Sequence, residues 1–116
     1  MSEIVPTIGR IVLYRLCDND VISIHKQRGR AFAGNEPRAG AVLPAMIVAV
    51  WGSTPDACVN LKVMLDGEDT LWATSRNRGD GEGQWHWMPY QLGQAAKTEA
   101  AEAAARAATA PQTRDA

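Results

Sequence analysis

Apolar and polar residues alternate most regularly over residues 58–65. Val59, Leu61, Val63 and Leu65 fall on one side, with Asn60 and Lys62 on the other. A period of two marks a half-buried strand, so the first set is expected to face in and the second out. Asp66-Gly67-Glu68-Asp69 follows, and its Asp-Gly pair favours the positive φ of a tight reversal. Residues 70–75 then return as the second strand of a hairpin. Residues 10–16 are rich in β-branched and aromatic side chains and read as a strand. Ile11 and Leu13 share one of its faces, Val12 and Tyr14 the other. Residues 45–51 are apolar on both alternating sets, which predicts a central strand covered on both sides. A short final strand over 84–88 is closed by Pro89.

Between the first two strands the pattern changes. Asp18-Asn19-Asp20 is a turn or helix-start signal. Asp20 is a candidate N-cap for a short helix over 21–28, with Val21, Ile24 and His25 on one side. A strand over 21–24 is the competing reading. Gly34, Asn35, Pro37 and Gly40 make residues 30–40 a loop. Four or five short strands joined by glycine-rich turns predict a mainly β fold: a small, partly open SH3-like barrel of about five short strands, with an insertion over about 18–41. A barrel also removes exposed sheet edges. From Gln94 the chain turns alanine-rich and strongly helix-forming. Thr98 is the expected N-cap, Glu102 precedes Arg106 by four residues, and Pro111 is expected to end the helix. With no large apolar stripe, this helix rests on propensity alone. The expected organisation is a β-barrel domain over 1–90 and a helical tail over 91–116.

Composition narrows the function classes. Over 116 residues the net charge is -1, without the basic excess on which phosphate binding depends. Nucleic acid is therefore not the expected partner. No apolar run approaches the roughly 20 residues of a membrane span; the longest, over 41–51, is interrupted by Pro44. The start of the chain lacks the pattern of a signal peptide. Cys17 and Cys58 are expected to be reduced and partly buried, in an intracellular protein.

The candidate chemistry is aromatic and cationic. Four tryptophans stand against one phenylalanine. Trp85 and Trp87 share a strand face, with His86 on the other, and Trp51 and Trp72 lie on strands expected nearby. An indole offers a flat stacking surface and one N–H donor; core filling is the structural alternative. Arg76 and Arg78 precede the Trp85 strand and would seat an anion or nucleotide against it; a solvated loop is the alternative. Lys26, Arg28, Arg30 and Arg38 form a second basic group. The expected ligand site is Trp72, Arg76, Arg78, Trp85, His86 and Trp87. His25 and His86 have no metal-ligand spacing, and no nucleophile elbow, P-loop or calcium loop occurs. No catalytic residue, metal or cofactor is expected. The carboxylates at 18–20 and 66–69 read as turn formers.

Two stretches carry a resemblance. Ile8-Gly9-Arg10-Ile11-Val12-Leu13-Tyr14 opens the domain. Val59-Asn60-Leu61, Leu65-Asp66-Gly67, Trp72-Ala73-Thr74-Ser75 and Gly83-Gln84-Trp85-His86-Trp87 close it. Over roughly residues 8–89 the chain resembles a widespread group of small phage and prophage proteins. These begin on a Gly-Arg-hydrophobic-Val-x-Tyr strand and end on Gly-Thr-Trp-His-Trp-Pro. Here Gln84 replaces the usual Thr, and Met88 separates Trp87 from Pro89. The resemblance implies a viral origin and an SH3-like barrel, and it brings no catalytic residues. The expectation is a non-enzymatic accessory binding module that takes a small anionic ligand or a host or viral protein. The alternative is a virion structural or assembly protein whose tail mediates oligomer contacts. Either would be a homo-oligomer in the host cytoplasm or the virion, with no membrane association.

Overall fold

The computed structural model describes residues 3–29 and 34–114. The elements run β1 (Ile11–Arg15), α1 (Asp18–Gln27), β2 (Val42–Trp51), β3 (Cys58–Met64), β4 (Thr70–Arg76), β5 (Trp85–His86) and α2 (Pro89–Arg114). The five strands form one antiparallel sheet in the order β4-β3-β2-β1-β5. The sheet is not closed, for β4 and β5 are its two edges. Just past β4, however, the backbone swings to β5. The Trp85 N–H donates to the Asn77 carbonyl (3.2 Å) and the Gly79 N–H to the Trp85 carbonyl (2.8 Å), around a single parallel bridge between Arg78 and Trp85.

One face of the sheet carries the core. Val12, Tyr14 and Leu16 of the β1 segment, Ala45 and Ile47 of β2, and Val59, Leu61 and Val63 of β3 are fully buried, and Leu71 and Ala73 of β4 nearly so. Each large aliphatic residue taken out of water contributes about 1.5–3 kcal/mol. The inward set on β3 is the one its alternation predicts. Asn60 differs: it stands on the other face but is buried, for a reason given below.

Residues 18–27 are helix, which settles the choice between helix and strand. Asp20 is not its N-cap. Cys17 is the cap, and Asp20, three residues on, accepts the Cys17 N–H at 3.0 Å. This acidic side chain satisfies an orphan donor of the first turn and meets the positive helix end. Ile24 is the buried anchor of α1. At its far end Gln27 donates to the Thr70 carbonyl (2.8 Å) and to Asp69 (3.0 Å), tying α1 to the start of β4.

Other boundaries move for local reasons. β2 starts at Val42, so Pro44 lies inside a strand. Pro44 faces Leu13 on β1, while the ladder to β3 begins only at Ala45, so β3 never needs the N–H that proline lacks. The last strand is shorter than expected, at two residues. The tail helix begins at Pro89, well before Thr98, because proline suits the first helical turn. Gln91 caps it by accepting the Met88 N–H at 2.8 Å. The helix also runs past Pro111 to Arg114. A proline so near the end disturbs only the final turn.

The chain forms two compact units. One is Val5–Trp87, and the other joins the residues up to Ile4 with those from Met88 on. Within the second unit, Tyr90 and Leu92 are exposed on α2. No helix among the described residues is long and apolar enough to cross a membrane.

Candidate functional site

Trp85 and Trp87 do share a face, as their spacing predicts, but that face is the core. Trp85 is 0 % exposed and Trp87 4 %. Their rings meet edge to face, 5.3 Å between centroids and 88° between planes, the arrangement the ring quadrupoles favour. The Trp85 indole N–H donates to the Arg76 carbonyl at 3.2 Å. The ring is thus held to the end of β4 by side chain and backbone, and it has no free face for a base. The Trp87 Nε1 has no hydrogen-bond partner among the described residues. His86 points to the opposite side, in register with Leu13, with its Nδ1 4.0 Å from the Asp80 carboxylate.

The two arginines are engaged as well. Arg76 donates to Asp20 Oδ1 at 3.0 Å and its guanidinium lies 5.8 Å from the centre of the Tyr14 ring. Tyr14 donates its hydroxyl to Asp20 Oδ2 at 2.5 Å. With the Cys17 N–H, the buried Asp20 carboxylate therefore receives three donors from three parts of the chain. Burial, and then the bond to Asp20, push the Tyr14 hydroxyl well above the ordinary phenol range, so it remains a donor. Arg78 pairs at 2.8 Å with the exposed Asp56. Together these contacts lock β1, α1 and β4. A buried carboxylate is tolerated only when its lone pairs are answered, and here they are. Reading Asp20 as a turn former missed this, since nothing in the sequence links it to Arg76 across 56 positions.

Trp72 is placed quite differently. It is 61 % exposed on the outer face of β4. Ladder pairing continues from it across the sheet: Trp72 to Lys62, Lys62 to Met46, and Met46 to Ile11. Lys62 is exposed and no described residue pairs with it. An indole, an ammonium with its four-carbon stem, a thioether and a branched aliphatic side chain thus make one continuous outer row.

Trp51, at the end of β2, is also turned outward and is 58 % exposed. Asn60 fixes it. The Asn60 side-chain oxygen accepts the Trp51 indole N–H at 3.1 Å and the Ser75 backbone N–H at 2.8 Å. A bulge breaks the β3–β4 register at this point, and Ser75 has a φ of 53°, a left-handed conformation that costs a non-glycine residue roughly 1–2 kcal/mol. Asn60 supplies the partner that the displaced Ser75 N–H would otherwise lack, and it is buried in doing so. Only the pairing register reveals this residue.

The fold thus gathers Arg76, Arg78, Trp85, His86 and Trp87 around β5 and leaves Trp72 on the outer row. Lys62, Trp51 and Asn60 are the residues that sequence patterning did not assign to a site. Arg30 of the second basic group lies outside the described residues. Cys17 and Cys58 are free thiols, each half-buried. No three His, Cys, Asp or Glu side chains among the described residues are grouped to hold a metal ion. Set against protein-family models, curated proteins and solved structures, the chain matches none.

Proposed function

We propose that this protein is a non-enzymatic binding module of the phage or prophage accessory type, acting as a homo-oligomer in the host cytoplasm or on the virion. The observation that carries the reading is the outward Trp72 beside the exposed Lys62, which pairs with no described residue. Tryptophan is usually well buried, and exposed tryptophans are over-represented at the energetic centres of protein interfaces. Trp72 and Lys62 are also self-complementary. If two copies stack their outer faces about a two-fold axis, each ammonium meets the other copy's indole, a favourable cation–π pairing. The row from Ile11 to Trp72 supplies the apolar contact around it.

On this reading the fold is a partly open SH3-like barrel. The backbone hydrogen bonds of Trp85 with the Asn77 carbonyl and the Gly79 N–H support it, because they bring the chain that leaves one edge strand to the other edge. The resemblance over residues 8–89 is the ground for a phage or prophage origin. The test is sedimentation of the full chain from micromolar to millimolar concentration. The wild type should associate, and Trp72→Ala should weaken association at least about tenfold, roughly 1.4 kcal/mol. A wild type that stays monomeric throughout, or a Trp72→Ala variant that associates equally well, rules the interface out.

A second reading, a virion structural or assembly protein, is favoured by α2. Its 26 residues extend about 39 Å at 1.5 Å per residue, and its alanine surface permits close helix approach. Mass spectrometry of purified particles should then find the protein at stoichiometric copy number. Its absence from particles eliminates this reading and leaves the accessory one.

A further inference from the structure

Glycine follows an aspartate at two places in the chain, Asp66-Gly67 and Asp80-Gly81. In such a pair no side chain hinders attack of the glycine nitrogen on the carboxyl carbon of the aspartate, and the backbone turns freely. The two pairs have different surroundings. The Asp66 carboxylate accepts the Asn35 side-chain amide (2.5 Å), and the Asp66 carbonyl accepts the Asn35 backbone N–H (2.8 Å). The Gly67 N–H donates to the Leu65 carbonyl at 2.9 Å. Carboxylate, carbonyl and nitrogen are all held, and by neutral partners.

The Asp80-Gly81 peptide group is polarised instead. Arg15 donates from Nε to the Asp80 carbonyl at 3.0 Å, and the Gly81 N–H donates to Gln84 Oε1 at 2.9 Å. A charged donor makes roughly twice as strong a bond as a neutral one. Here it draws electron density out of the amide and eases loss of the amide proton, while Gln84 orients the N–H. The Asp80 side chain is 95 % exposed and accepts no hydrogen bond among the described residues. His86 Nδ1 lies 4.0 Å from its Oδ1. That nitrogen is buried and has no hydrogen-bond partner among the described residues. An imidazole carries a proton at Nδ1 either as the cation or as one of its two neutral tautomers.

We propose that Asp80-Gly81 is a self-modification site, where the fold promotes closure of the Asp80 side chain onto the Gly81 nitrogen and conversion of Asp80 to isoaspartate. The Gly81 nitrogen bonds to the Asp80 carboxyl carbon as one carboxyl C–O bond breaks. The oxygen leaves as water, with one proton from His86 and one from the amide. The product is a five-membered succinimide. Water then adds to one of its two carbonyls and opens the ring, which returns a proton to solvent. Opening at the side-chain carbonyl restores aspartate. Opening at the main-chain carbonyl leaves the chain running through the Asp80 side chain. Nothing is oxidised or reduced, and solvent water is the only co-reactant. The isomer has one more main-chain carbon, placed between the contacts to Arg15 and Gln84 and beside the Gly79–Trp85 hydrogen bond. Each chain reacts once, so the step is not turnover and does not depend on the binding-module reading.

The test follows both pairs in the full chain, held at neutral pH in heavy-oxygen water. Peptide mapping uses a protease that cuts before aspartate and not before isoaspartate. The same chain in concentrated urea gives the rates without the fold. Folding should speed conversion at Asp80 and slow it at Asp66, and each isoaspartate should carry one heavy oxygen. His86→Gln should slow the folded-state reaction at Asp80 about tenfold or more and leave the urea rate unchanged, since a well-placed proton donor contributes about 10²–10⁴ and this one stands at 4.0 Å. Arg15→Met should slow it as well. Should either variant not fold, the folded and urea rates of the wild type still decide. Conversion at Asp80 no faster in the folded chain than in urea, equal conversion at Asp66 in the folded chain, or a full rate in folded His86→Gln would overturn the proposal.

Discussion

The four tryptophans divide into two pairs that obey different rules. Trp85 and Trp87 are inside, edge to face, with the Trp85 indole bonded to the Arg76 carbonyl at the end of β4. Trp51 and Trp72 are outside, one held by Asn60 and the other beside the exposed Lys62. All four sit in or next to short strands, so residue type and local pattern cannot tell them apart. Position in the sheet can. β5 is an edge strand of two residues, and its large side chains must complete the core. β4 already places Leu71 and Ala73 inward, which leaves Trp72 for the outer face. The inner pair therefore completes the core, and the outer pair leaves its rings open to solvent.

The largest expected effect is on the inner pair. Trp85→Ala removes a fully buried ring and should cost about 3–5 kcal/mol, read as a lower denaturant midpoint. Equal costs for Trp85→Ala and Trp72→Ala would erase the distinction between the pairs. Next comes the ionic cluster around Asp20. Asp20→Ala strips Arg76, the Tyr14 hydroxyl and the Cys17 N–H of their common acceptor. Breaking a buried ion pair costs about 3–5 kcal/mol, and partial exposure of Arg76 places this one near 3 kcal/mol. A loss below 1 kcal/mol would mean that solvent replaces the carboxylate.

Asn60→Ala should cost about 1–3 kcal/mol, the penalty for an unmet buried donor at Ser75. It should also broaden the environment of Trp51, read by indole N–H chemical shift. Trp72→Ala should change stability by no more than about 0.5 kcal/mol, as for an exposed position, while weakening association.

The smallest effect is the pH dependence of the Arg28–Asp69 pair. Arg28 holds the Asp69 carboxyl below the ordinary aspartate range, which is about 3.9 unfolded. The folded state thus binds that proton less readily than the unfolded one. The pair's stabilisation is fully present above pH 4 and is lost as pH falls through the lower folded value. The stability gap between wild type and Asp69→Asn should be constant from pH 7 to 5 and close in stronger acid. A gap that widens on acidification contradicts the assignment.

Most of the sheet is legible from the chain itself, because β3 alternates cleanly and Asp66-Gly67 signals its reversal. The inward set of Val59, Leu61 and Val63 needs nothing beyond periodicity. From the sequence, a helix over 21–28 and a strand over 21–24 are both open, since the apolar-rich positions 21–24 suit either structure. What decides it is the Cys17–Asp20 cap and the hold of Asp20 on Tyr14 and Arg76, both of which are tertiary. The candidate site was legible in type and not in place. Aromatic and cationic residues do lie together on the surface, but as Trp72 with Lys62, not as Trp85 with Arg76. Spacing of two fixes that Trp85 and Trp87 share a face; only the assembled sheet says that this face is the interior. Asn60 shows the same limit, as its burial follows from a bulge that no alternation encodes.

Collisional quenching of tryptophan fluorescence by acrylamide, followed across protein concentration, separates the two pairs. In dilute solution two indoles should be accessible and two protected. As concentration rises and copies associate, the Trp72 emission should become protected while the inner pair stays unchanged, and Trp72→Phe should abolish the concentration dependence. Quenching that is the same at every concentration would contradict the proposed association through Trp72, and four equally accessible indoles in dilute solution would contradict the place of the inner pair in the core.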